Sequence, residues 1–168
     1  MGKTKDRAAQ AAAAGQTRAA PGSPEAAAHL TPLLRRNEQA TVLAAALTAL
    51  GQLFANGTLN ETDFAALEAR LAPCLFDTRP RVTAALTQAA AHLPPRPHIE
   101  RHLLATLAQD KRANAARALT SLRRRYPAGP ALTAALHTRL EREPPHSPLA
   151  RQIRTCLHTL ANDRQTPP

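Results

Sequence analysis

His98 and His102 lie four residues apart in PHIERHLL, a spacing that puts two imidazoles on one helix face, where they could share a metal ion. A third ligand is missing. Glu100 is misplaced for a His-Glu-x-x-His motif, and both histidines read as projecting from a wet face opposite Ile99, Leu103 and Leu107. Glu61, Asp63 and Glu68 sit near a helix start, where carboxylates complement the positive end of the dipole. Cys74 and Cys156 fall on apolar helix faces far apart in sequence and read as buried thiols, with no spacing for a disulfide, a metal site or a nucleophile. No phosphate-binding loop or nucleophile elbow occurs, and the six glycines read as helix-end or tail residues. The expectation is a non-enzymatic protein with no metal and no cofactor.

What remains as chemistry is charge. The stretch ALTSLRRRYPAG, residues 118–129, carries Arg123, Arg124 and Arg125 into a helix stop, and the whole chain has 22 Lys+Arg against 12 Asp+Glu. A net charge of +10 implies attraction to phosphates or acidic proteins. Its distribution is uneven: residues 23–110 hold seven Arg against eight acids, whereas residues 111–168 hold eleven Lys/Arg against three. The preference for Arg over Lys has a bland origin in GC-rich codon usage, but the net charge does not.

The elements that must position these residues are helical. With no Trp, one Tyr and three Phe in 168 residues, the core has to come from Leu and Ala, which suit closely spaced helices better than strands. Residues 1–22, basic and Ala-rich with no large apolar side chain after Met1, read as a disordered arm; an organelle transit peptide is the alternative reading. Order is expected from Ser23, a cap before Pro24, through residue 162, with 163–168 as a flexible tail.

Between these tails eight periodic segments alternate with breakers: 24–36 with a kink at Pro32, 38–55 closed by Asn56-Gly57, 61–76 capped by Asn60 and kinked at Pro73, and 79–93 stopped by Pro94-Pro95. The others are 97–109, 111–126, 130–143, and 148–162 capped by Ser147. No apolar run approaches the roughly 20 residues that span a membrane. A reducing, cytoplasmic setting is expected.

The second, fourth, sixth and eighth segments align on Leu47, Leu86, Leu119 and Ile153, at intervals of 39, 33 and 34 residues. A compact bundle is the alternative, but strict repetition favours about eight short helices in four stacked antiparallel pairs. The stretch LFDTRPRVTAALTQAAAHL, with Asp77, Arg81 and Val82, resembles the HEAT-repeat family, and LAQDKRANAARALTSL does so more loosely. The resemblance covers about residues 24–162. It implies an all-α, HEAT-like α-solenoid whose second helices line a concave face; some relatives of this kind are DNA glycosylases, but without Trp or a groove carboxylate that activity is not expected here.

On the sixth segment Ala115, Ala118, Leu119, Leu122 and Tyr126 form the buried stripe; Arg117 and Arg124 point away from it, and Arg123 and Arg125 flank it. On the eighth, Leu149, Ile153, Cys156, Leu157 and Leu160 are buried while Arg151, Arg154 and His158 face out. Repeat register sets Arg117 beside Arg151, Thr120 beside Arg154 and Arg124 beside His158, a basic ladder suited to a nucleic-acid phosphate backbone. Scarce aromatics and the absence of a helix-turn-helix spacing argue against base reading. The competing readings are an adaptor holding an acidic segment or partner helix, and dipole compensation by arginines in a last helical turn. Arg81, at a helix start, is a further candidate contact, and with Arg79 also a candidate for inter-repeat ion pairs.

Overall fold

The computed structural model describes residues 24–163 together with Asp6, Arg7 and Ala9; the arm, the Ser23 cap and most of the tail lie outside the described residues. Among the described residues there is no strand. Eight α-helices run α1 Pro24–Leu30, α2 Ala40–Ala55, α3 Glu61–Leu71, α4 Pro80–Ala90, α5 Pro97–Gln109, α6 Arg112–Arg125, α7 Pro130–Arg142 and α8 Pro148–Asp163. Five begin with proline, whose fixed φ suits the first helical position and whose missing N–H is not needed there. The two internal prolines do more than kink. The α-helix ends before each, and a 3₁₀ turn follows at Thr31–Leu33 and at Ala72–Phe76.

Local capping follows the sequence closely. Asn60 Oδ1 accepts from the Thr62 and Asp63 backbone N–H groups, while the Asp63 carboxylate accepts from the Asn60 N–H at 2.9 Å, a reciprocal capping box that starts α3. At the end of α2 the chain turns through Asn56 and Gly57, whose φ of 74° lies in the left-handed region that costs glycine little. Ser147 Oγ accepts from the Ala150 N–H at 3.0 Å and starts α8.

The chain divides into two compact units, Met1–Ile99 and Glu100–Pro168, with the boundary inside α5. In the first, α1 touches α3 and α2 packs along α4, so two antiparallel hairpins stack first helix on first and second on second. The α2/α4 seam is very close: a Cβ added at Gly51 would stand 2.8 Å from the Ala89 Cα. Gly51 therefore belongs to a helix interior and not to a helix end, and its buried position is set by tertiary contact. In the second unit α7 and α8 form a packed hairpin, and the α5–α6 turn lies beside the α7–α8 turn.

The four alignment positions Leu47, Leu86, Leu119 and Ile153 are all buried, as are most of the surrounding Leu and Ala residues. Phe64 is the largest fully buried side chain; it meets the Phe54 ring edge-to-face at 5.7 Å and carries the Arg96 guanidinium 5.5 Å from its centroid.

Gly51→Ala tests the seam. Removing a helix-interior glycine gains about 0.5–1 kcal/mol, but pushing a methyl into backbone costs about 1–3 kcal/mol. The expected outcome of urea denaturation is a net loss of stability at unchanged helicity; a gain would overturn the close approach.

Candidate basic interface

The second unit contains a polar network built around one buried ion pair. Arg139 and Glu143, four residues apart at the end of α7, have side chains 7% and 3% exposed and pair directly. A pair so far from water is costly unless most of its remaining donors and acceptors are met, and here Arg139 Nε stays buried without a partner. Arg139 Nη1 also donates to the Asp110 carbonyl in the α5–α6 turn, while Glu143 Oε2 accepts from Arg112 Nε at 2.9 Å and from Ser147 Oγ at 3.0 Å. Burial pushes the Glu143 carboxyl up, but the hydrogen bonds from Ser147, Arg139 and Arg112 outweigh it and hold it below its ordinary value of 4.5.

The network reaches the starts of both second helices. Asp110 accepts from the Lys111 N–H and from Asn114 Nδ2, whose amide oxygen in turn accepts from Arg117 Nη1 at 3.3 Å on α6. Ser147, held by Glu143, starts α8. The first unit repeats the idea with other residues: Arg79 pairs with the buried Asp77 and donates to the carbonyls of Glu38 at 2.7 Å and Arg36 at 3.1 Å, tying the α3–α4 turn to the α1–α2 turn. The Arg79 hydrogen bond holds the Asp77 carboxyl below its ordinary 3.8. Burial, and then the Asp77 charge, pushes the neighbouring Cys74 thiol up to about 11, which leaves it protonated at neutral pH.

The expected contact residues separate against this scaffold. Arg117, Arg124, Arg151, Arg154 and His158 are exposed, as is Arg123. At about 100° per residue the buried arc of α6 is wider than its Leu/Ala stripe, because Asn114 and Ser121 also face inward. Arg125 falls on that inward side and is half-buried, and Tyr126, counted in the stripe, is half-buried too. Arg123 stands on the opposite flank, and its charge reaches the Cys156 thiol on α8, lowering it against the larger rise caused by burial. Arg154 is not free in space: its Nη1 donates to the Pro145 carbonyl at 2.8 Å in the turn before α8. His158 Nδ1 lies 3.2 Å from the Asn162 amide. Arg81 is exposed at the start of α4 and belongs to the other unit.

The histidine pair divides as well. His98 Nε2 sits 3.3 Å from Glu68, beside the ion pairs that Arg96 makes with Glu61 and Glu68. His102 is buried near Thr106, so the two do not share the wet face expected of them. Glu68 thus serves these partners, whereas Asp63 works in the capping box. Among the described residues no three His, Cys, Asp or Glu side chains converge on a metal-sized site, and no helix is long and apolar enough to cross a membrane. No protein-family model, curated protein or solved structure matches the chain.

Sequence reasoning missed Arg139. The signal was there, in the i, i+4, i+8 series Arg139, Glu143, Ser147, in which the last member is also a helix cap.

Arg139→Ala leaves the Glu143 carboxylate buried with fewer partners and should cost about 3–5 kcal/mol in urea denaturation. Arg117→Ala, at an exposed site, should stay within about 0.5 kcal/mol. Acid titration supplies a second check. A folded-state pKa below the unfolded one contributes stability that is present above the unfolded value and lost as pH falls. The stability gap between wild type and Glu143→Gln should therefore be full above pH 4.5 and narrow below it; a gap independent of pH would sink the charged-carboxylate assignment.

Proposed function

We propose that the protein is a non-enzymatic, HEAT-like helical module that binds nucleic-acid backbone through the exposed arginines of α6 and α8. The observation that carries this reading is the imbalance of charge at the surface of the second unit. Glu143 is committed to Arg139 and Arg112 in the interior, whereas Arg117, Arg123, Arg124, Arg151 and Arg154 stay exposed on helices whose N-terminal ends are fixed by that same network. Fixed cations attract a polyanion without reading its sequence, since phosphate contacts position a strand while base edges specify it. Arg154 and Arg117 enter such a contact partly oriented, by Pro145 and Asn114, which lowers the entropy lost on binding. The free, buried Cys74 and Cys156 support a reducing, cytoplasmic setting.

Phe76, 65% exposed, favours a second reading, an adaptor that holds a protein partner. Retention of a partner after nuclease treatment would select it.

The first reading predicts binding of labelled duplex and single strand at 50 mM salt that weakens steeply by 200 mM. Charge reversal of Arg117, Arg124, Arg151 and Arg154 to Glu should reduce affinity at least about tenfold with helicity retained, at roughly 1.4 kcal/mol per decade. Absence of binding at the lower salt, or affinity indifferent to salt, would reject nucleic acid as the ligand.

A further inference from the structure

Residues 24–99 of the first unit hold six Arg against six Asp+Glu, yet these charges are sorted by end. Glu61, Asp63 and Glu68 lie in the first two turns of α3, where Arg96 pairs with two of them. The opposite end of α3, about 16 Å away for eleven residues, leads into the α3–α4 turn, which Arg79 ties to the α1–α2 turn. That turn edge carries Arg35, Arg36 and Arg81, all exposed, with guanidiniums that make no hydrogen bond or ion pair with other described residues. The neighbouring carboxylates are already engaged: Glu38 with Arg7, and Asp77 with Arg79. Arg36 lies near enough for its charge to help lower the Asp77 carboxyl.

Overall basicity does not account for this cluster, because residues 24–99 carry as many Asp and Glu as Arg. The dipole of the segment ending at Leu33 favours Arg35 and Arg36 just past it, but helix-dipole compensation does not explain Arg81. Arg81 stands in the first turn of α4, at the positive end, where a cation is disfavoured, and that turn has no acid to offset it. Three unneutralised guanidiniums, held to one edge by a fourth that bonds both turns, present planar donor forks suited to phosphate oxygens.

We propose that this turn edge is a second phosphate-binding surface, distinct from α6 and α8, which holds the backbone of the same class of nucleic-acid ligand. It rests on the proposed function only for that ligand class. The cation cluster and its location are independent of it.

The test is the salt dependence of a labelled DNA duplex binding to the full chain, measured for wild type, for Arg35→Gln/Arg36→Gln/Arg81→Gln, and for Arg101→Gln/Lys111→Gln/Arg142→Gln. The last variant removes the same charge from exposed positions outside both surfaces. Removing one arginine–phosphate pairing should reduce the slope of log affinity against log salt by about 0.9. The expected result is a fall of about two to three for the turn-edge variant and an unchanged slope for the control. Equal falls in both variants, or none in the turn-edge variant, would overturn the proposal. Where circular dichroism shows reduced helicity, single Arg36→Gln and Arg81→Gln variants give the same reading, at about one slope unit or less each. Wild type that fails to bind removes this surface and the α6/α8 reading together. Weakening confined to the α6/α8 charge reversal removes this one alone, and weakening confined to the turn-edge variant moves the interface to the first unit.

Discussion

Stacked hairpins built from Leu and Ala face a problem of register, because burial of small apolar side chains rewards contact without fixing how far one hairpin slides along the next. Arginine supplies the direction. In the second unit Arg139 bonds Glu143 on its own helix and the Asp110 carbonyl of the neighbouring turn. In the first, Arg79 bonds Asp77 and two carbonyls of the α1–α2 turn. These carbonyls belong to segments just past helix C-termini, where backbone acceptors commonly lack a helical partner. One side chain thus satisfies them and fixes the spacing of two hairpins. The starts of α6 and α8, and so the placement of their outward arginines, depend on the Arg139 pair through Asp110, Arg112 and Ser147.

The two ties differ in origin, which explains why one was visible in the sequence and the other was not. Arg79 stands beside a turn Asp and a proline, a local arrangement that suggests inter-repeat ion pairs; its ion pair is local, with Asp77, and its contacts to the other hairpin are to carbonyls. Arg139 lies in TRLERE, which reads like any solvated helix end until α7 is seen to set its last turn against the α5–α6 connection. Caps were legible for the same reason that Arg79 was: Asn60, Ser147 and the helix-starting prolines act over three or four residues. Gly51 and His102 were not, because whether a helix position meets backbone or water depends on the neighbouring hairpin. Eight helices could be counted from periodicity and breakers alone, while the direction of each charged side chain needed the packing. Thus the wheel of α6 was right for Arg117 and Arg124, but inward Asn114 and Ser121 widened the buried arc and drew Arg125 toward it.

Net charge is consequently a poor guide to where this protein could hold an anion. Some of its arginines are struts, with Arg79 paired to Asp77, Arg96 to Glu61, and Arg112 and Arg139 both to Glu143, and these pairings take up carboxylates that would otherwise oppose the surface cations. The outward set on α6 and α8 gains weight from that subtraction, since Glu143, one of the three acids of residues 111–168, is buried. The same reasoning exposes the turn edge of the first unit, where the balanced charges of residues 24–99 conceal a local excess.

Arginine outnumbers lysine throughout the chain, but not every position tolerates the exchange. Arg79 directs Nε, Nη1 and Nη2 to acceptors on three residues at once, a fork that a lysine ammonium on its flexible stem cannot reproduce while holding both turns. Arg139 likewise divides its two terminal nitrogens between a carbonyl and a carboxylate. At exposed Arg117 or Arg151 a lysine would preserve the charge that attracts a polyanion and forfeit chiefly the planar geometry. Arginine at those surface positions is therefore consistent with composition alone, whereas at Arg79 and Arg139 the architecture itself requires it.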